Sequence, residues 1–261
     1  MSAARLCLGL FTIIPAGAVP RVDRDTARAA MLLAPIAGVI LGVLAATVLA
    51  VISHLIPTSL GALLAAALAI GSLTYLTRAL HLDGLADTTD ALGSGRRGQE
   101  ALDIARRADV GPFAVVTVVL LIVIDIAALA AATAAGIGPI ALVIAVVTGR
   151  LAATVGCTRG IPAASPTGLG ALVAGTIPRV ASVAWVIVIV IGAFGVGMWL
   201  GATGAWAMPL AVVVGLALAL AVVARCVRRL GGITGDVLGA SVEVATTAAL
   251  VALALGASVS P

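Results

Sequence analysis

The sequence has no lysine, few acids and few charged residues of any kind. Charged residues make up 10% of its 261 residues, and the mean hydropathy is +1.26. A soluble domain of this size carries about 25% charged residues, so the composition excludes an ordinary soluble protein. No polar stretch is long enough to form a second core. The sequence therefore predicts one all-α, membrane-embedded domain over residues 1–261.

Two further absences narrow the function. The chain has three cysteines, Cys7, Cys157 and Cys226, with no CxxC or Cys/His spacing, which disfavours a zinc site. We expect all three to be reduced thiols on the cytoplasmic side. No strong internal repeat is visible, and this weighs against the inverted repeats of many secondary transporters.

Seven apolar segments have the length of about 20 residues that a membrane-spanning helix needs. A shorter apolar stretch, Leu6–Val19, is interrupted by Pro15 and predicts an interfacial or re-entrant segment. The seven predicted spans are 29–53, 59–77, 111–134, 137–157, 180–200, 205–224 and 236–257.

All fifteen basic residues are arginines, and they lie in alternate connections of the predicted bundle. By the positive-inside rule this places the N-terminus in the cytoplasm and the C-terminus outside, in a multi-pass plasma-membrane protein. The net charge of +4 is then a consequence of topology, and no nucleic-acid partner is expected. Membrane lipid is an expected partner, and a homo-oligomer is compatible with the composition.

Three aspartates stand out in this acid-poor chain. Asp83, Asp87 and Asp90 have the spacing i, i+4, i+7, which puts their carboxylates within about 60° on one helical face. Three like charges at that spacing repel, and a divalent cation removes the repulsion. Hard oxygen ligands suit Mg²⁺, which often bridges to substrate phosphates. The alternative is a solvated helix end whose acids pair with nearby arginines.

Next to Asp83, Gly84 would let a substrate or another backbone approach closely. We expect the active site on two cytoplasmic loops, about 78–110 and 225–236.

A second cluster follows in the sequence GGITGDVLGASVE at 231–243. Asp236 and Glu243 would share a helical face, with Glu243 about 10 Å deeper in the membrane, where an acid is by default a functional hypothesis. The glycines, including Gly235, would leave backbone amides free to hold a phosphate. The alternative is a glycine-rich turn with Asp236 as a helix N-cap.

Other polar residues are weaker candidates for the functional site. Arg78, Arg106 and Arg107 are predicted to contact a diphosphate, although arginines at a membrane edge often only fix topology. His81 is either a general base or a hydrogen-bonded interfacial histidine. Asp125 lies in mid-span, where it would be protonated or line a polar interior, and the segment 162–178 could form a lid.

At the two acidic clusters the chain resembles the cobalamin synthase, or adenosylcobinamide-GDP ribazoletransferase, family. HLDGLADTTDAL at 81–92 is similar to the signature of that family, and LGGITGDVLGASVE at 230–243 to its C-terminal motif. LGLFTIIPAG, APIAGVILGVLAA and RGIPAASPTGLGA follow the family order, so the resemblance covers nearly the whole chain. One departure is Arg106-Arg107-Ala108-Asp109, where many relatives have Lys-Asp-Ser, so no role is transferred to Arg107.

The resemblance implies a Mg²⁺-dependent membrane enzyme. It would join adenosylcobinamide-GDP to α-ribazole or its 5′-phosphate, releasing GMP and forming adenosylcobalamin or its 5′-phosphate. Carried over by position, Asp83, Asp87, Asp90 and Asp236 would form the acidic centre, and Asp90 is predicted to take the proton of the attacking hydroxyl.

Two other functions remain open on the sequence. A CDP-alcohol phosphotransferase does similar chemistry, but its motif has an arginine after the first aspartate and wider spacing, which this chain lacks. An ion-coupled secondary transporter would place its acids near the midplane, whereas most acids here cluster at one predicted face.

Overall fold

The computed structural model describes residues 2–17, 22–105, 110–201 and 205–258. In this part of the chain all regular structure is helical, apart from two isolated β-bridges. The helices are α1 (Ser2–Phe11), α2 (Arg24–Leu32), α3 (Ala34–Leu55), α4 (Ser59–Leu76), α5 (Leu80–Gly93), α6 (Gln99–Ala105), α7 (Pro112–Ala134), α8 (Gly138–Gly156), α9 (Gly168–Val173), α10 (Arg179–Trp199), α11 (Ala207–Leu230) and α12 (Gly235–Ser258).

Seven of these helices are long and apolar enough to cross a membrane, namely α3, α4, α7, α8, α10, α11 and α12. The predicted all-α membrane bundle is therefore confirmed. The first span begins at Ala34 rather than at residue 29, because Leu33 separates it from α2 and Pro35 starts the new helix. Proline fits the first turn of a helix, where its missing N–H would have no partner in any case. The short α1 helix overlaps the first part of the predicted segment Leu6–Val19, as far as Phe11. Residues 18 and 19 lie outside the described residues, and the interfacial placement stays a prediction.

Two predicted loops are largely helical. The region 78–110 contains α5 and α6, and α11 continues to Leu230, so the predicted 225–236 loop shrinks to residues 231–234. Arg225, Arg228 and Arg229 lie on the last turns of α11, where basic side chains interact favourably with the helix dipole. The sequence prediction ended this span too early because those arginines lower the local hydropathy without breaking the helix.

Helices α8 and α12 form the centre of the bundle. Within their most apolar stretches 78% and 67% of residues are buried, against 17% for α10. Small residues allow the close packing: a Cβ on Gly149 of α8 would lie 2.8 Å from the Val242 carbonyl oxygen of α12. Close helix contacts at small residues are the usual packing mode in membranes.

Three segments meet at one end of the bundle, which we call the arginine-rich end (residues 78–105, 157–178 and 225–234). The Gly98 N–H donates to the Arg229 carbonyl at 2.8 Å, and the Ala164 N–H donates to the Ile233 carbonyl at 3.0 Å. The Arg24 guanidinium reaches across from α2 to the Ala171 and Ala174 carbonyls. The segment predicted as a lid, 162–178, is thus hydrogen-bonded to its neighbours and includes α9.

Helix α5 lies on α12 without intervening side chains. A Cβ on Gly84 would come within 2.9 Å of the Asp236 backbone, and one on Gly239 within 3.2 Å of the His81 backbone. Gly84 therefore serves the second role that the sequence suggested for it, the approach of another backbone.

We expect Gly84→Ala to lower the unfolding temperature of the purified protein, because the new methyl group would overlap backbone that cannot rotate away. Overpacking of this kind costs about 1–3 kcal/mol. Gly71→Ala in α4 is the matched control, since nothing lies within 4 Å of its would-be Cβ. Equal unfolding temperatures for the two variants would show that the crossing tolerates a side chain.

Candidate active site

A sharp turn sets the direction of α5. Arg78 and Ala79 adopt left-handed backbone angles, with φ of +56° and +53°, and such residues cost of order 1–3 kcal/mol each. The turn closes α4 through hydrogen bonds from the Ala79 N–H to the Thr74 carbonyl at 2.9 Å and from the Arg78 N–H to the Tyr75 carbonyl at 3.0 Å. The exposed Arg78 side chain donates to the Gly9 carbonyl at 2.6 Å, so it ties α1 to this turn.

The two faces of α5 differ in burial. His81, Gly84, Leu85, Thr88 and Ala91 are buried. The opposite face carries the predicted stripe, with Asp83 exposed and both Asp87 and Asp90 half-buried. The predicted helical stripe is therefore present in the structure.

Asp236 joins the stripe through the α5–α12 crossing. Its backbone contacts Gly84, which lies between Asp83 and Asp87 in the sequence. Burial, and then the nearby carboxylates of Asp236, Asp83 and Asp90, raise the pKa of Asp87 to about 6. The structure thus brings the two motifs, some 150 residues apart in the chain, into one electrostatic cluster.

Asp236 is not the N-cap of α12. The Thr234 hydroxyl accepts a hydrogen bond from the Val237 N–H at 3.2 Å and lies 3.2 Å from an Asp236 carboxylate oxygen. Thr234 therefore caps the helix, and Asp236 occupies its first turn, where the helix dipole favours a negative charge. Gly235 starts α12 beside Leu169 of α9, with room for a Cβ at ordinary contact distance.

Asp90 has structural partners of its own. Its two carboxylate oxygens accept hydrogen bonds from the Gly111 N–H at 2.6 Å and the Ala114 N–H at 3.0 Å. These are N–H groups of the first turn of α7, which has no cap of its own. Asp90 therefore caps α7 from a distance, a role that the sequence did not suggest. A Cβ on Gly111 would overlap the Asp90 carboxylate, so a larger residue there would displace that carboxylate from the start of α7.

His81 and Glu243 lie away from the stripe. The His81 ring is buried and stacked on Phe11, with centroids 5.7 Å apart, and its Nδ1 has no hydrogen-bond partner. Burial, and secondarily the charge of Arg150, lowers its pKa. Glu243 points into an internal cavity that also contains Asp125 and Arg150. Arg106, Arg107 and Asp109 lie outside the described residues.

The acidic side chains of this site are of the kind that binds a divalent cation, although they are not arranged as a complete set of metal ligands. In the described ranges, no three acidic, histidine or cysteine side chains already converge as metal ligands. The carboxylates of Asp83, Asp87 and Asp236 nevertheless lie close enough to repel one another, and this repulsion adds to burial, the larger cause, in raising the pKa of Asp87. A Mg²⁺ ion relieves that repulsion and accepts such ligands together with water and phosphate oxygens.

The family model described as cobalamin-5-phosphate synthase matches residues 3–254. The chain belongs to this family.

Three relatives, from Frankia casuarinae, Nocardioides sp. and Corynebacterium efficiens, bear the name adenosylcobinamide-GDP ribazoletransferase. The Frankia protein is 37% identical, over 98% of this chain and 95% of its own length. The Nocardioides protein is 40% identical, over 97% of this chain and 98% of its own length. The Corynebacterium protein is 31% identical, over 94% of this chain and 88% of its own length. No solved structure gives a significant match to the chain. The family resemblance predicted from the two motifs is confirmed.

We expect Asp90→Asn to lower the unfolding temperature, because the amide replaces a charged acceptor by a neutral one at the start of α7. Loss of a helix cap costs about 0.5–2 kcal/mol. Thermal unfolding should be measured beside the turnover rate. A large fall in rate with unchanged unfolding would instead favour Asp90 as the proton acceptor.

The raised pKa of Asp87 predicts a pH-dependent stability. The folded protein holds this proton more tightly than the unfolded chain, so the stabilisation is complete below the ordinary aspartate pKa of about 4 and is lost as the pH rises through about 6. In buffer without divalent ions, the wild type should therefore unfold at a lower temperature at pH 7.5 than at pH 5. Asp87→Asn should show a smaller difference, and an equal difference would assign the effect to other groups.

Proposed function

We propose that the protein is an adenosylcobinamide-GDP ribazoletransferase that requires Mg²⁺. It would transfer the adenosylcobinamide-phosphate group to α-ribazole or its 5′-phosphate, release GMP and form adenosylcobalamin or its 5′-phosphate. The observation that carries the proposal is the meeting of Asp83 and Asp87 with Asp236 at one surface, in a chain of this family.

The chemistry needs little more than charge and position. A ribazole hydroxyl oxygen attacks the phosphorus nearer the corrinoid, a new P–O bond forms, and the bond to the GMP oxygen breaks. When bound, Mg²⁺ would neutralise the diphosphate and the departing GMP. We assign Asp83, Asp87 and Asp236 as the protein ligands of this ion, and Asp90 stays a predicted fourth ligand.

The proton acceptor stays a prediction. Asp90 was the first choice, and each of its oxygens keeps a second lone pair beside the hydrogen bond that it accepts. His81 stays a weaker proposal, since it lies on the opposite, buried face of α5.

Substrate contacts are proposed for the edge of the acidic cluster. Arg78 is exposed and uses one guanidinium nitrogen for the Gly9 carbonyl, which leaves other donors for a diphosphate. Arg106 and Arg107 are proposed from the sequence alone. The amide of Gly235 and the first turn of α12 could bind a phosphate oxygen.

We propose that the arginine-rich end faces the cytoplasm from the plasma membrane, where positive charge is retained. Seven of the fifteen arginines lie in the three segments that meet at this end, close to the acidic cluster. Anionic lipid would then surround the site, and a homo-oligomer stays a prediction.

We expect Asp83→Asn and Asp236→Asn each to lower kcat by at least about 100-fold, since each removes stabilisation of charge in the transition state. EDTA should abolish activity and added Mg²⁺ should restore it. The measurement is product formation from adenosylcobinamide-GDP and α-ribazole by purified protein.

The matched control is Glu100→Gln, an exposed acid on the neighbouring α6 that pairs with Arg96 at 3.1 Å. It should keep near-normal activity. Product formed in metal-free buffer, or near-normal rates in the aspartate variants, would contradict the proposal.

A further inference from the structure

A charged cluster lies inside the bundle below the candidate active site. Arg150 of α8 is 1% exposed, and Asp125 of α7 is 4% exposed. With Glu243 of α12 they line a cavity of about 20 Å³, beside Thr77 and Thr246. That volume holds about one water molecule. Charges among membrane-spanning helices are costly and are by default functional hypotheses.

Two polar atoms of the cluster have no hydrogen-bond partner. Arg150 Nε and Asp125 Oδ1 are buried without one, although the Asp125 carboxyl group also interacts with the Thr247 side chain. Within the described ranges, no ion pair shorter than 4.0 Å involves Arg150, Asp125 or Glu243. The residues that carry these atoms line a cavity with room for about one water, which could bridge the charges.

The cluster lies where α8 and α12 touch. Gly149, the neighbour of Arg150, packs against the Val242 carbonyl, the neighbour of Glu243, at 2.8 Å from its would-be Cβ. Arg150 and Glu243 therefore lie beside a close approach of the two central helices. Attraction between their charges at this place would oppose sliding and rotation of α12.

The register of α12 decides where Asp236 lies. Glu243 follows Asp236 by seven residues, on the same face and about 10 Å along the axis. Gly239 lies between them, against the His81 backbone. A shift of α12 by one residue, about 1.5 Å and 100°, would replace Gly239 at this crossing by Leu238 or Ala240 and turn Asp236 away from α5.

We propose that Arg150 and Glu243, with Asp125 and a bridging water, are positioning residues that fix α12 in the register that presents Asp236 to Asp83 and Asp87. The inference rests on the proposed metal centre. It assigns Glu243 a role below the site rather than contact with substrate.

The first experiment measures Mn²⁺ binding to detergent-purified protein by electron paramagnetic resonance, without substrate. Arg150→Met and Glu243→Gln should each weaken binding by about tenfold, the lower end of the 10–100-fold cost of losing groups that support metal ligands. Arg150→Lys keeps the charge and should bind within about threefold of wild type on the same reasoning. Thr148→Val, a buried residue of α8 that bonds only its own helix, is the matched control and should bind as wild type.

A variant that lacks both Arg150 and Glu243 distinguishes a positioning role from the effect of leaving one buried charge unpaired. Removing one partner leaves a lone buried charge, whereas removing both does not. Arg150→Met/Glu243→Gln should therefore recover much of the unfolding temperature lost in the single variants, while its Mn²⁺ binding stays weak. Wild-type binding in a stable double variant would overturn the inference.

A second measurement does not depend on metal. Spin labels would be attached at Ala135→Cys, just before α8, and at Leu255→Cys, near the end of α12. Both positions are exposed. Their distance distribution should shift or broaden in the double variant and stay unchanged in Thr148→Val. An unchanged distribution in the double variant would overturn the positioning role. Absence of saturable, Asp83-dependent Mn²⁺ binding in the wild type would instead overturn the proposed metal centre.

Discussion

The crossing of α5 on α12 is the contact on which the candidate site depends. At Gly84 and Gly239 the two helices approach backbone to backbone, and any side chain there would push them apart. Only this approach lets a carboxylate from the first turn of α12 share the surface with the stripe of α5. The same contact makes the site sensitive to the depth and rotation of α12, which are set by packing against α8.

Negative charge is concentrated at this crossing, and the surrounding structure compensates part of it. The first turn of α12 presents the positive end of its dipole to Asp236. Asp90 directs its carboxylate to the N-terminal amides of α7, so one acid of the stripe stabilises a neighbouring helix. Asp83 and Asp87 lack such partners among the described side chains. The pKa of Asp87 is raised first by burial and then by the neighbouring carboxylates, so part of the repulsion remains. That remaining repulsion is the physical basis for expecting a divalent cation.

Arg150 was misjudged because the residues around it are distant in the chain. Arg150 reads as a topology marker because it follows an apolar run, yet α8 continues for six residues beyond it and buries it completely. Its position six residues inside an apolar helix was the available signal. For Asp236 the sequence left a helix cap as the alternative to a metal ligand, and the structure gives the capping role to Thr234.

The sequence by itself determined the class of protein, the seven spans, the stripe of three aspartates and the family. Each of these follows from local composition or from spacing along one helix, which the 3.6-residue period fixes. Tertiary structure decided that Asp236 meets the stripe, that Asp90 caps α7 and that Glu243 faces Arg150. Those contacts depend on how deeply each helix sits beside its neighbours and which way it is turned. In a bundle with apolar residues on nearly every face, periodicity does not specify the rotation of a helix, whereas the close contacts at glycine do.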